Sequence, residues 1–331
     1  MPERLRVATF NLENLGGDDA AEVAGLPPLA ARIAALRPVL LRLDADVLCL
    51  QEVNGQKPDR HAPRRLDALD ALVAGTPYAG FARAFTTGPD GVGPQDVHNL
   101  VVLSRFPIRE RRQIRHDLVA PPLYRAATAI PPPAEPEPVR WDRPILAVAI
   151  ELPGGRMLHV VDLHLRAPLA APIPGQKEGR VWRSTAGWAE GFLIAAMRRA
   201  GQAVEARLAV ERIFDAEPDA FVVVAGDCNA GLTEMPLRLL IGDADDVGSP
   251  ALAAARTLTP VERAVPAERR FSMRHRGAAL LVDHILVSPA LARCVGEVAI
   301  LNEGLGDDSD ESAPPPAGSF HAPLVAGFAL P

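Results

Sequence analysis

Lysine is nearly missing from this chain. Of its 35 basic residues only Lys57 and Lys177 are lysines; the rest are arginine. The base composition of a genome explains that bias as readily as chemistry does. The 41 acidic residues outnumber the basic ones and leave a formal net charge of −6. This disfavours a protein that grips nucleic acid through bulk positive charge, but leaves room for a local basic rim. Cysteine is scarce too. Cys49, Cys228 and Cys294 are odd in number and widely spaced, which argues against a disulfide framework or a zinc cluster and for free thiols in a cytoplasmic protein. No apolar run approaches the ~18–20 residues of a membrane span. The region 194–224 is hydrophobic in places but is broken by Arg198, Arg199, Glu205, Arg207 and Glu211. The opening MPERLRVATFNLE has no apolar segment before a small-residue cleavage site, so no signal peptide is expected and the cytoplasm is the expected compartment.

What is present is a chain of 331 residues, 48% hydrophobic and 23% charged, enough for a sizeable core. Patterning predicts strands at Arg6–Asn11, Val47–Glu52, Leu100–Ser104, Ile145–Glu151, Arg156–His164, Phe221–Gly226, Leu280–Ser288 and Pro323–Ala329. Helices are predicted at Leu29–Leu43, Arg64–Val73 and Thr185–Phe214, the last with Gly201 as a weak point. Pro-Gly-Gly after Glu151 makes a turn, so two of the strands read as a hairpin. The proline-rich segments Ala120–Arg140 and Asp307–Gly318 read as surface loops or mobile connectors. Hairpin-like pairs interleave with helices, which favours an α/β chain of two largely antiparallel sheets packed together with helices outside. No internal repeat or compositional break divides the chain, and a single domain over 1–331 is expected.

The most informative stretch is Val222–Ala230, VVVAGDCNA. It reads as a buried strand delivering Asp227 and Asn229 to its C-terminal end. The two lie at i and i+2, so an extended backbone points both to one face and Cys228 to the other. A carboxylate beside an amide suits a phosphate ester attacked by water. Apolar strands also end in Asp-x-Asn merely because both residues form turns. The motif therefore gains weight from its company: Asn11 and Glu13 after VATF, Glu52 after VLCLQ, His164 after HVVDL, Asp283 within LLVDHILVS, and His321 before the last strand. Polar groups at several strand ends are how a rigid sheet presents a catalytic constellation.

The ordered set TFNLEN, LCLQEV, LVVLSRFPI, VVDLHL, VVAGDCNA, VDHILVSP and SFHAPLVA resembles the endonuclease/exonuclease/phosphatase superfamily, the DNase I-like metal-dependent phosphoesterases. The resemblance runs from Arg6 to Phe328. Each motif alone is weak; seven in the family's order are not. The resemblance implies a four-layer α/β sandwich of two mainly antiparallel sheets flanked by helices. It implies that Asn11 and Glu52 bind a divalent metal with Glu13 in or near its outer sphere, and hard oxygen ligands point to Mg²⁺ or Mn²⁺. By the same resemblance Asp227 orients or deprotonates the attacking water, and Asn229 holds a phosphate oxygen. His321 contacts the scissile phosphate with Asp283 as its carboxylate partner. His164 stabilises the phosphate or the leaving group. A divalent cation and an imidazolium would offset charge growing on an already anionic phosphodiester. One-step attack of water follows, since no Cys or Ser sits in a nucleophile motif.

One position departs from the family pattern. Where relatives carry Ser-Asp-His, this chain has Ser319-Phe320-His321. We favour a changed metal arrangement, such as one ion rather than two; weakened catalysis, or a substitute carboxylate from Asp307–Glu311, are the other readings. Taken singly, the residues also have plainer roles: Asn11 as a turn former, Glu52 as a solvated strand end, His164 as a structural hydrogen bonder. Asp283 between LLV and HILV is harder to dismiss, because a buried carboxylate needs a partner. His284 and Cys228 read as structural, Asn99 as a bystander, and His98, His116, His159 and His275 carry no signal. Arg166, Lys177, Arg180 and Arg183 read either as a solvated run opening a helix or as contacts to flanking phosphates; Arg166, nearest His164, is assigned to substrate binding. Trp182 and Trp188 read as packing, with base stacking as the alternative. The expected partner is a phosphate-ester substrate, with nucleic acid among the candidates, cleaved by a phosphodiesterase. A phosphomonoesterase or a pseudoenzyme that binds a phosphorylated ligand is the alternative.

Overall fold

The computed structural model describes residues 3–59, 61–310 and 312–331. Two six-stranded sheets lie face to face. Numbering only their strands in chain order, these are β1 (Glu3–Leu15), β2 (Val47–Val53), β3 (Ala82–Phe85), β4 (Asn99–Ser104), β5 (Ile108–Ile114), β6 (Ile145–Glu151), β7 (Met157–His164), β8 (Phe221–Asp227), β9 (Thr259–Pro260), β10 (Asp283–Val287), β11 (Val295–Ile300) and β12 (Leu324–Leu330). The first sheet runs β11-β12-β1-β2-β4-β3 and the second β9-β10-β8-β7-β6-β5. Pairing is antiparallel except at the centre of each sheet, where β1 and β2, and β7 and β8, run parallel. Each central parallel pair ends at the same end of the sandwich.

Helices α1 (Asp18–Ala24), α2 (Leu29–Leu43) and α3 (Asp67–Val73) belong to the first half of the chain, and α4 (Thr185–Ala216) and α5 (Met235–Ile241) to the second. Leu36, Leu40 and Leu43 of α2 and Leu69 and Leu72 of α3 pack on Phe10, Leu48 and Leu50 outside the first sheet. Ala203, Ala206, Val210 and Phe214 of α4 pack on Val161, Leu163, Val222 and Val224 outside the second. Between the sheets, Leu5, Val7, Val47 and Cys49 meet Leu158, Val160, Phe221 and Val223. The central strands are covered on both faces, which is why they read as unbroken apolar runs. This is the four-layer sandwich.

The predicted elements recur with shifted ends, and α3 begins at Asp67 rather than Arg64. Four strands of the two sheets were not expected: Ala82–Phe85, Ile108–Ile114, Thr259–Pro260 and Val295–Ile300. All are at or next to sheet edges, where a solvated row such as that of IRERRQI hides the apolar pattern. The loop Ala120–Arg140 is no free connector. Glu190 of α4 accepts from Tyr124 Oη at 2.8 Å, Ala127 N at 2.6 Å and Thr128 N at 2.8 Å. Glu205 accepts from His116 N and Leu118 N at 3.0 Å and from Trp141 Nε1 at 2.7 Å. Gly201 is a packing requirement, because a Cβ there would lie 2.5 Å from the Trp141 ring. No single helix among the described residues is long and apolar enough to cross a membrane.

Candidate active site

The inward-facing rows of the central strands change character along their length. Leu5 and Val7, Val47 and Cys49, Leu158 and Val160, and Phe221, Val223 and Ala225 are apolar and buried. One step further comes a buried polar layer. Thr9 Oγ1 donates to Gln51 Oε1 at 3.2 Å, and Gln51 Nε2 donates to Asp162 Oδ1 at 2.7 Å. Asp162 Oδ2 has no partner, and burial holds this carboxyl well above its ordinary pKa. The next step reaches Asn11, His164, Asp227 and Asp283, which alternation places on the same face.

These last residues converge on Asp227. Its Oδ2 accepts from Asn11 Nδ2 across the sheets at 3.1 Å and from Asn229 Nδ2 at 3.1 Å, and lies 3.3 Å from His164 Nε2. Its Oδ1 accepts from Asn229 N at 2.8 Å. Burial alone would raise its pKa, but His321, His164 and the Asn229 N–H reverse that and hold it below the usual carboxylate range. His321 Nδ1 lies 2.8 Å from Asp283 Oδ2, with its Nε2 turned toward Asp227. Burial would neutralise the imidazole, but the carboxylates of Asp283 and Asp227 push its pKa well above the ordinary value. Ser319 fixes the approach: its Oγ donates to Asn11 O at 2.8 Å and accepts from His321 N at 3.0 Å.

Glu52 reaches the site against the alternation rule. Val47, Cys49 and Gln51 face inward, so position 52 would face α2. The backbone at Glu52 is left-handed, φ 58°, and the β2 register shifts between Leu50 and Val53. The carboxylate thereby swings to within 3.6 Å of His164 Nε2. Glu13, Asn14, His98 and Asn229 are left-handed as well, so strained backbone clusters at the site. Burial raises the Glu13 carboxyl; His321 counters it and nearby Glu52 adds to it. Its Oε2 accepts from Phe320 N at 3.4 Å.

Three contributors lacked a sequence signal. Arg32, fully buried on α2, donates to Leu12 O, Glu13 O and Gly318 O and ties β1 to the His321 segment. Arg143 Nη2 donates to His98 Nδ1 at 2.9 Å. Arginine can only donate, so His98 Nδ1 accepts, Nε2 carries the proton, and Nε2 donates to Asn14 Oδ1 at 2.9 Å. Burial, reinforced by Arg143, lowers the His98 pKa to about 4, in keeping with a neutral ring. Asn14 N in turn donates to Glu52 Oε2 at 3.0 Å. Only the Asp-Arg-Pro spacing before β6 could have flagged Arg143.

Some expectations change. Asn229 Nδ2 donates to Leu165 O and to Asp227 Oδ2 at 3.1 Å each, and so braces Asp227. The acidic stretch supplies no substitute carboxylate among its described residues: Asp307 accepts from Arg276 N and Gly277 N, Asp308 meets His275, and Asp310 accepts from Ser312. Glu311 lies outside the described residues. Arg166 stands at the rim, where it and Arg198 share Asp142 at 3.0 and 3.1 Å. His284 is structural, buried between Glu262 and Ala230 O. Asn99 braces Val53 O and Gln95 O. His98, expected to be idle, faces His164 with ring centroids 6.0 Å apart.

Two sheets that deliver acids, amides and imidazoles from four parallel strand ends define a hydrolytic phosphoesterase sandwich. The profile of the Endonuclease/Exonuclease/phosphatase family matches residues 8–310, and the chain belongs to that family, whose members are hydrolases acting on phosphoric ester bonds. No curated protein matches. Among solved structures the chain is similar to an endonuclease/exonuclease/phosphatase family protein from Bacteroides thetaiotaomicron, at 16% identity over 100% of this chain and 96% of that one, TM-score 0.58. It is similar to truncated TDP2 from Caenorhabditis elegans, at 15% identity over 98% of each, TM-score 0.56. It is also similar to the 3′ phosphatase NExo from Neisseria, solved with a product DNA hairpin, at 17% identity over 98% and 99%, TM-score 0.51. At these identities the likeness is one of fold.

Proposed function

We propose that this chain is a divalent-metal-dependent phosphodiesterase that hydrolyses its substrate by in-line attack of water, with no covalent enzyme intermediate. The observation that carries the reading is Asp227, a buried carboxylate kept ionised by donors from both sheets and facing the His321–Asp283 pair. Its depressed pKa suits a group that orients water by accepting a hydrogen bond. Asn229 and Asn11 fix its rotamer. His321, kept cationic by Asp283, supplies a positive donor to a phosphate oxygen, and His164 supplies a second imidazole beside Asp227. Arg166 lies at the rim toward flanking phosphate.

The donor set fits Mg²⁺ or Mn²⁺. Burial, with a smaller contribution from nearby Glu52, raises the Glu13 pKa, and hard oxygens with no thiolate suit such an ion. Glu52, Asn11 and Glu13 would hold it. When bound, it offsets negative charge on the reacting phosphate. We read residues 1–331 as one domain, because the site draws on strands from both ends of the chain.

Hydrolysis of bis-p-nitrophenyl phosphate and p-nitrophenyl phosphate, with Mg²⁺, Mn²⁺ or EDTA, tests the reading. Metal-dependent diester cleavage is expected. Preference for the monoester would make the protein a phosphatase. A wild-type protein inert toward both esters and toward oligonucleotides under every metal would move the assignment to a phosphate-ligand binder, the role that Phe320 alone favours.

A further inference from the structure

Helix α4 is longer than the strands it crosses. Its 32 residues span ~48 Å at ~1.5 Å per residue. The 7–8 residues of β7 and β8 span only ~23–27 Å. The helix links two parallel strands, so it must start at their C-terminal ends, where the site is. Gln202 Nε2 lies 3.4 Å from His164 O, and Arg199 Nη1 donates to Asn229 O at 2.8 Å. Residues 199–202 therefore stand level with the strand ends, and 185–198 project past them beside the cleft.

This overhang is rigidly built. The hairpin 177–182 packs on it, with the Trp182 ring and Ala171 O so close to Gly191 that a Cβ there would sit 2.9 and 2.4 Å from them. Glu190 fastens the proline-rich loop to it. Its face on the side of Arg199 nevertheless carries Trp188 and Phe192, 47% and 38% exposed, stacked with centroids 5.7 Å apart and planes at 27°. At ~100° per residue these rings lie within ~40° of the azimuth of Arg199, and ~10–16 Å along the axis from it. Exposed Lys177, Arg180 and Arg183 stand on and just after the hairpin that packs on this overhang, with Glu178 the one acid between them. Arg166 and Arg198 stand nearer the rim, both paired with the single carboxylate of Asp142.

We propose that Trp188 and Phe192 form a stacking platform for unpaired nucleobases, and that the substrate is a single-stranded nucleic acid or a frayed end whose bases lie on this wall a few nucleotides from the scissile phosphate. Flat rings take up only bases whose faces are free, which a duplex interior does not offer, and the adjoining cations match the phosphates of such a strand. The local excess of positive charge overrides the chain's net acidity where the strand would run. The inference rests on the phosphodiesterase reading above.

The test is fluorescence anisotropy in EDTA with end-labelled decathymidylate, the same strand annealed to its complement, and a spacer polymer with sugars and phosphates but no bases. The single strand is expected to bind best. Trp188→Leu is expected to weaken it by roughly 5- to 100-fold, the range for loss of one stacked base, while Trp188→Phe keeps most of the affinity. Neither substitution should change Mn²⁺-dependent hydrolysis of bis-p-nitrophenyl phosphate, which is too small to reach the rings. Equal binding of the spacer polymer or the duplex, or an unaltered affinity in Trp188→Leu, overturns the platform; so does capture by anionic vesicles with no binding of any strand. A protein that loses strand binding with Trp188→Leu yet cleaves no phosphoester leaves the platform standing and removes the enzyme.

Discussion

Three side chains from three segments reach the one carboxylate of Asp227, so its orientation is over-determined. Asp227→Asn keeps the shape and removes the charge. We expect it to lower diester turnover by at least ~10²–10⁴-fold, the usual range for a positioned acid–base group, with an unchanged circular dichroism spectrum. The relay from Arg143 through His98 and Asn14 to Glu52 would act instead on the proposed metal site. His98→Ala should weaken Mn²⁺ binding by about 10–100-fold, as loss of outer-sphere support does, while His98→Gln, which can both accept and donate, should recover much of it. Titration followed by the electron paramagnetic resonance of free Mn²⁺ reads both. Asp162 offers a pH signature. Its folded pKa lies above its unfolded one, so its contribution to stability is greatest below the unfolded pKa and is lost as pH rises through the folded value. Asp162→Asn should therefore raise the urea midpoint relative to wild type at alkaline pH, by an amount that shrinks toward acid pH.

At the scale of elements, α4 does more than cover the second sheet. Its Glu190 and Glu205 hold the loop 115–141, and its Gly201 admits the Trp141 ring. Glu190→Ala should open a proteolytic cleavage site within 120–140 that the wild type lacks, seen by limited proteolysis and mass spectrometry. Gly201→Ala should destabilise by about 1–3 kcal/mol, the range for overpacking. This helix and the hairpin of β6 and β7 were legible because their periodicity is sustained over many residues. The edge strands were not, since a strand solvated along one row and its edge carries charged residues where the pattern expects apolar ones.

For the molecule as a whole, the site is also a joint. Asn11 and Glu52 come from one sheet, and His164, Asp227 and Asp283 from the other. An ion bound to the first set and bonded through Asn11 to the second would be lost on unfolding. At a free Mn²⁺ concentration 100 times its dissociation constant, the native state should gain about 2.7 kcal/mol by mass action. A calorimetric scan should show Tm rising with Mn²⁺ in the wild type and far less in Glu52→Gln.

The amino-acid order by itself determined the layer architecture and most of the strand-end polar groups. Alternation and unbroken apolar runs depend on local pleat and burial, and Asp227, His164 and Asp283 follow from the same period of two. Glu52 was legible as a polar strand end and through resemblance, but not in its direction, for the period of two points it the wrong way and a left-handed backbone turns it back. The tertiary structure alone decided the company of these residues. Arg143, His98, Arg32 and the Thr9–Gln51–Asp162 layer join segments tens or hundreds of residues apart, and no local pattern encodes which distant donor will face a given acceptor. The same holds for Trp188: helical spacing marks it as a packing residue, and only the length of α4 relative to its strands leaves it without a core to pack against.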